Sequence, residues 1–266
     1  MPDFVNARRT GTMRTLGIAA RPTLLFAVAY ALNTTPHEAV HALTAYVLGF
    51  NSIIYQMWVN PEPAQATPQQ LATIAASGPI FSLTAGALCL LIYAWRFRKR
   101  PSGLLFILLA LVGVDCFLGP MAGAQFGGDF RTVFELLGIS ARIGVTASAF
   151  GWILLALFMF LMGRELVGWV PRQIGRFNAV LSATAGPALA GPLLISILYW
   201  PLPRFFVGST IAGSLFWIFA LFGATTGIKR PHPERDLAAF TWVDASVSIA
   251  AIVMIRVFAS GIRLAH

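Results

Sequence analysis

Residues 37–41 read His-Glu-Ala-Val-His, and these residue types at this spacing are suited to metal-dependent hydrolysis. Two imidazoles four residues apart, His37 and His41, project from one face of a helix and can bind one zinc ion. Glu38 is placed to take a proton from an attacking water. The motif lies in an apolar stretch long enough to span a membrane. Polar groups are costly at that depth, which argues against an accidental origin.

A catalytic zinc ion needs a third protein ligand and an open position for water. His232 lies in a basic loop and His266 is the last residue, so carboxylates are the better candidates. Asp129 follows two glycines, which allow close backbone approach, and opens a predicted short helix over 129–137. Asp115, embedded in an apolar run, is the alternative: either the third ligand or a hydrogen-bond partner of a ligand histidine.

The composition excludes a soluble enzyme. The chain is 57% hydrophobic and 11% charged, roughly half the charged fraction of a soluble domain. The net charge of +9 does not indicate nucleic-acid binding, because the basic residues lie between the apolar runs. We therefore expect no nucleic-acid partner and an integral, multi-pass protein in contact with the lipid bilayer.

The apolar runs predict an all-α polytopic membrane protein with about seven transmembrane helices, six to eight, in a single domain over 1–266. The predicted spans are 22–50, 68–95, 103–119, 143–163, 178–199, 205–226 and 237–259. Fourteen of the nineteen Lys and Arg residues fall on one side, which favours a cytoplasmic N-terminus. The compact chain suits a bacterial inner membrane.

The first span is interrupted by polar residues and Pro36. A proline lacks a backbone donor and disfavours a helical residue before it. We therefore expect the first helix to be broken near Pro36, with Thr35 as the N-cap of a new helix from His37. The stretch 52–59 favours an extended conformation, and the prolines after it predict an irregular loop that covers the site or holds a substrate strand.

The second predicted span contains Gly78-Pro79, which loosens a helix and lets another backbone come close. Together with the zinc motif and Asp129, this feature resembles the site-2 protease family of intramembrane zinc metalloproteases. By that resemblance His37 and His41 are ligands and Glu38 is the general base. Gly78-Pro79 corresponds to a family Gly-Pro-x-x-Asn motif, with Ser82 in place of the asparagine, and Asp129 corresponds to the aspartate of an Asp-Gly motif.

The resemblance implies a protease-like zinc core over 22–140, followed by helices of unknown role over 141–266. The expected activity is cleavage of a peptide bond in a transmembrane protein substrate, with Zn²⁺ as the cofactor. Two alternatives stay open: a zinc-dependent membrane hydrolase of a non-peptide substrate, and a non-enzymatic transporter or scaffold. The sequence leaves the substrate and the oligomeric state undetermined.

Overall fold

The computed structural model describes residues 2–62, 65–170, 175–200, 204–228 and 240–265. Most of these residues are helical. The helices are α1 Pro2–Val47, α2 Pro68–Ile92, α3 Gly103–Ala122, α4 Asp129–Leu136, α5 Ala141–Leu166, α6 Arg176–Ala185, α7 Gly191–Leu198, α8 Arg204–Gly227 and α9 Trp242–Ala259. π-helical turns extend α2 and join α6 to α7.

Five helical segments of the described chain are long and apolar enough to cross a membrane, which supports a helical membrane protein. They are Pro68–Phe97, Gly103–Ala122, Ala141–Trp169, Arg176–Leu198 and Trp242–Ala259. In α8 only the shorter stretch Leu215–Gly227 is comparably apolar. The count of seven spans therefore stays a prediction, although each predicted span overlaps a helix.

The predicted break near Pro36 is wrong. α1 continues without interruption from Pro2 to Val47. A proline removes only one hydrogen bond from a helix, here the bond to the carbonyl of Leu32, and neighbouring turns can still hold the helix together. Thr35 does not cap a new helix, because its hydroxyl donates to the carbonyl of Gln56 at 3.1 Å.

A small antiparallel sheet is the main departure from the all-α prediction. Its strands are β1 Asn51–Ile54, β2 Val59–Glu62 and β3 Ile262–Leu264, with β1 in the centre. The β-branched residues of β1 and β2 favour strands, and the backbone N–H of Tyr55 closes the turn between them by donating to the carbonyl of Trp58. The extended conformation predicted for 52–59 is confirmed in β1 and at the start of β2.

The chain divides into two compact units. The first comprises Met1–Val28, Leu91–Leu108 and Leu157–Ser248, and the second comprises Ala29–Leu90, Leu109–Ala156 and Ile249–His266. In the second unit α2 and α3 pack backbone against backbone, since a Cβ atom on Gly113 would lie 2.7 Å from the Cα atom of Gly86. The sheet and the His-Glu-x-x-His motif belong to this second unit.

Candidate metal centre

α1 presents His37 and His41 on the same face, one turn apart, as the spacing predicts. Both imidazoles are buried. Their ring centroids are 4.8 Å apart and the rings are nearly perpendicular. Their Nε2 atoms are 3.1 Å apart. The two nitrogens therefore face a common point inside the second unit.

Asp129 brings a carboxylate to the same point from the first turn of α4. Its Oδ2 atom is 3.5 Å from Nε2 of His37, and its Oδ1 atom is 3.8 Å from Nε2 of His41. The preceding residue, Gly128, has φ +83° and ψ −174°, a backbone conformation essentially restricted to glycine. This turn starts α4 with Asp129 directed at the imidazoles, and the short helix predicted over 129–137 is confirmed at 129–136.

The outer nitrogen of each imidazole is engaged by α2. Nδ1 of His41 lies 2.6 Å from the carbonyl oxygen of Ile74, which can only accept, so this nitrogen carries the proton. The lone pair of His41 is then on Nε2. Nδ1 of His37 lies 2.9 Å from the hydroxyl of Ser82. Contacts of this kind orient metal-ligating histidines in known metal sites.

Gly78 leaves the space between the imidazoles open. A Cβ atom on this residue would lie 2.7 Å from Nε2 of His37 and closer still to Nε2 of His41. That hypothetical atom falls near the position where an ion bonded to both nitrogens would sit. Any side chain at this position would fill that space, so the glycine is needed for an ion to fit.

The donor set fits zinc. The ligand atoms of His37, His41 and Asp129 all lie within 4.8 Å of one another. Ligand atoms at about 2.1 Å from a tetrahedral zinc ion are about 3.4 Å apart, and the nitrogen–nitrogen and nitrogen–oxygen separations here are 3.1, 3.5 and 3.8 Å. Two imidazoles and one carboxylate also leave one tetrahedral position open. A search of the described residues for three or more ligands close enough to hold one metal ion gives this group.

Glu38 is partly buried beside the first histidine. The backbone N–H of Val59, the first residue of β2, is directed at its carboxylate. The hairpin that follows α1 therefore contacts the predicted general base.

The other predicted residues have different surroundings. Asp115 lies in α3 outside the three-ligand group, and its Oδ1 atom faces Gly119 one turn further along, 3.5 Å from where a Cβ atom would be. Pro79 is buried in α2 next to Gly78. His232 and His266 lie outside the described residues.

Three contributors to the site were not predicted: Asn33, Ser77 and the backbone carbonyl of Ile74. The amide oxygen of Asn33 accepts a hydrogen bond from Ser82 at 3.0 Å. The hydroxyl of Ser77 lies 3.4 Å from Nδ1 of His41. A sequence signal existed for Asn33, because it precedes His37 by four residues and so shares the helix face of the two imidazoles. No such signal marks the backbone carbonyl of Ile74.

Comparison with known proteins returned no matching family model, no matching curated protein and no matching solved structure.

Proposed function

We propose that this chain is an intramembrane zinc metalloprotease of the site-2 type. The observation that carries the proposal is the convergence of two imidazole nitrogens and the Asp129 carboxylate on the space left open by Gly78. Five apolar helices support an integral membrane protein, and the distribution of basic residues supports a cytoplasmic N-terminus.

The roles of the residues follow from their chemistry. A zinc ion held by His37, His41 and Asp129 would polarise the scissile carbonyl and acidify water at its open position. Glu38 takes a proton from the attacking water and delivers it to the leaving amine. The backbone N–H of Val59 lies beside the Glu38 carboxylate.

The free edge of β2 favours a peptide substrate over a non-peptide one. Tyr55 donates to Trp58 at 2.8 Å, so this pair is hydrogen-bonded across the hairpin. Because such pairs alternate in an antiparallel ladder, Val59 and Pro61 direct their backbone groups away from β1. An extended segment of a transmembrane substrate that joined this edge would lie next to Glu38. Pro61 leaves the pairing with β1 intact, since its missing N–H is on the outer side. Because the N–H of Val59 is directed at Glu38, this edge offers a substrate strand carbonyl oxygens as acceptors.

The decisive experiment is Glu38→Gln in the purified full chain, assayed with a transmembrane peptide and by zinc analysis. Cleavage should be lost while zinc stays bound, because the amide cannot take the proton and the ligands are unchanged. Glu135→Gln is the matched control, since Glu135 is exposed and paired with Arg131 on α4. Normal cleavage by Glu38→Gln would overturn the mechanism.

Hydrolysis of a lipid or amide-linked anchor without peptide cleavage would indicate the non-peptide alternative. Absence of bound metal would indicate a transporter or scaffold.

A further inference from the structure

A buried chain of hydrogen bonds leads from His37 away from the metal centre. Nδ1 of His37 contacts the Ser82 hydroxyl at 2.9 Å, and that hydroxyl donates to Oδ1 of Asn33 at 3.0 Å. Ser82 is 0% exposed and Asn33 is 4% exposed. Both partners are therefore shielded from bulk water.

The two helices align this chain with the metal centre. Asn33 and His37 are one turn apart on α1, and Gly78 and Ser82 are one turn apart on α2. Gly78 faces the imidazoles. Ser82 therefore meets the same face of α1 one turn closer to its N-terminus.

The direction of the hydrogen bonds decides which nitrogen of His37 can bind a cation. A serine hydroxyl has one hydrogen. If it donates to the amide oxygen of Asn33, Ser82 must accept from Nδ1–H of His37, and the lone pair is on Nε2. If Ser82 instead donated to Nδ1, the proton would be on Nε2 and would point at His41, only 3.1 Å away. The second arrangement closes the site with a histidine–histidine hydrogen bond.

We propose that Asn33 and Ser82 are positioning residues, a relay that keeps the proton of His37 on Nδ1 and so presents Nε2 to the metal. The inference rests on the proposed zinc site. It goes further in giving a specific role to Asn33 and a direction to the hydrogen bonds. Neither residue is a catalytic residue, since both act through His37.

The test uses Asn33→Asp and Asn33→Leu in the full chain. A carboxylate accepts hydrogen bonds as the amide oxygen does but cannot donate them when ionised, whereas leucine can do neither. The probes are Co²⁺, followed by its visible absorption, and Zn²⁺, followed by competition with a chelator. Asn33→Asp should bind both ions at least as tightly as the unmodified chain. Asn33→Leu should bind them about 10- to 100-fold more weakly, the loss typical when such a supporting contact is removed.

Ser82→Ala tests the middle of the relay and should weaken binding over the same range. Thr84→Ala is the matched control: Thr84 lies on the same helix, is exposed, and uses its hydroxyl only within α2, donating to Ile80. It should bind both ions as the unmodified chain does. Nitrogen-15 NMR of the histidines adds a readout that a purely structural role would not change. In the metal-free chain, the fraction of His37 that carries its proton on Nδ1 should be larger than in Ser82→Ala, where the arrangement bonded through Nε2 to His41 gains.

The outcomes separate the two proposals. If the unmodified chain binds neither ion, the proposed zinc site fails. If it binds them and Asn33→Asp is as weak as Asn33→Leu, the relay runs in the other direction and the inference is overturned. Unchanged binding in both Asn33→Leu and Ser82→Ala overturns it as well. Binding is compared on the monodisperse fraction of each variant, so a loss of folding is not mistaken for a loss of affinity.

Discussion

The Arg21–Asp244 pair and the His37–His41–Asp129 group are both polar centres in an apolar protein, and they differ in what each provides. In the first unit, the guanidinium Nε of Arg21 lies 2.9 Å from Oδ2 of Asp244. Arg21 is 6% exposed and Asp244 is 0% exposed. Opposite charges there neutralise each other without any added ion.

In the second unit, none of the three groups His37, His41 and Asp129 carries a permanent positive charge like that of Arg21. Nε2 of His41 presents a lone pair, because its Nδ1 donates to a carbonyl. Asp129 adds a carboxylate whose side chain is only 31% exposed. Lewis bases gathered in this way repel one another unless a proton or a cation lies between them. A centre that is complete by itself stabilises the fold, whereas a centre whose bases need a proton or a cation between them could hold a metal ion.

The largest expected effect breaks the complete centre. Asp244→Ala should lower the free energy of unfolding by about 3–5 kcal/mol, because a buried positive charge loses its carboxylate. Thermal or denaturant unfolding in detergent micelles measures this loss. The double variant Arg21→Met/Asp244→Leu is the control and should lose much less, since neither charge is then buried. Zinc affinity of the folded fraction should not change. If both variants lost equal stability, packing and not charge would account for the effect.

Gly78→Ala should have the next largest effect, on metal binding. The added methyl group occupies the space between the two Nε2 atoms, so we expect zinc affinity to fall by at least about 100-fold, or about 2.7 kcal/mol. A chelator-competition assay on the folded protein measures it. Gly86→Ala on the same helix is the contrast: its Cβ atom would meet the backbone of α3 at 2.9 Å. That change should reduce stability with little effect on zinc affinity. Tight zinc binding by Gly78→Ala would show that the space left by the glycine is not needed for the ion.

A smaller effect is expected at the turn that directs Asp129. Gly128→Ala forces a side chain into a glycine-only conformation that costs about 1–3 kcal/mol. Part of that strain is relieved by moving Asp129, so zinc affinity should fall about tenfold. Gly138→Ala, at the other end of α4 with φ +63°, should cost stability without changing zinc affinity. Equal losses of affinity in the two variants would show that α4 as a whole, and not the turn at Gly128, positions the ligand.

Local patterns account for what the sequence predicted. The spacing of His37 and His41 fixes their common helix face. The double glycine before Asp129 and the acidic residue itself predict the start of α4, which lies at Asp129. The bounds of the apolar helices follow from runs of hydrophobic residues, and each lies close to its predicted position.

Long-range contacts account for what it missed. The sequence cannot show that β3 pairs with β1 across more than two hundred residues. Local rules predict a helix break at Pro36, because they consider the lost hydrogen bond and not the packing that stabilises the rest of α1. The spacing of Asn33 and His37 predicts a shared helix face, but the contact between Asn33 and Ser82 joins two helices and has no local signal in the sequence.

X-ray absorption at the zinc edge tests the central claim most directly. The purified full chain, loaded with one equivalent of zinc, should show two imidazole nitrogens and additional oxygen ligands at about 2.0–2.2 Å, with no sulfur at about 2.3 Å. This signature should disappear in His37→Ala and in Asp129→Ala. A sulfur ligand, or an unchanged spectrum in either variant, would contradict the assignment of the metal to His37, His41 and Asp129.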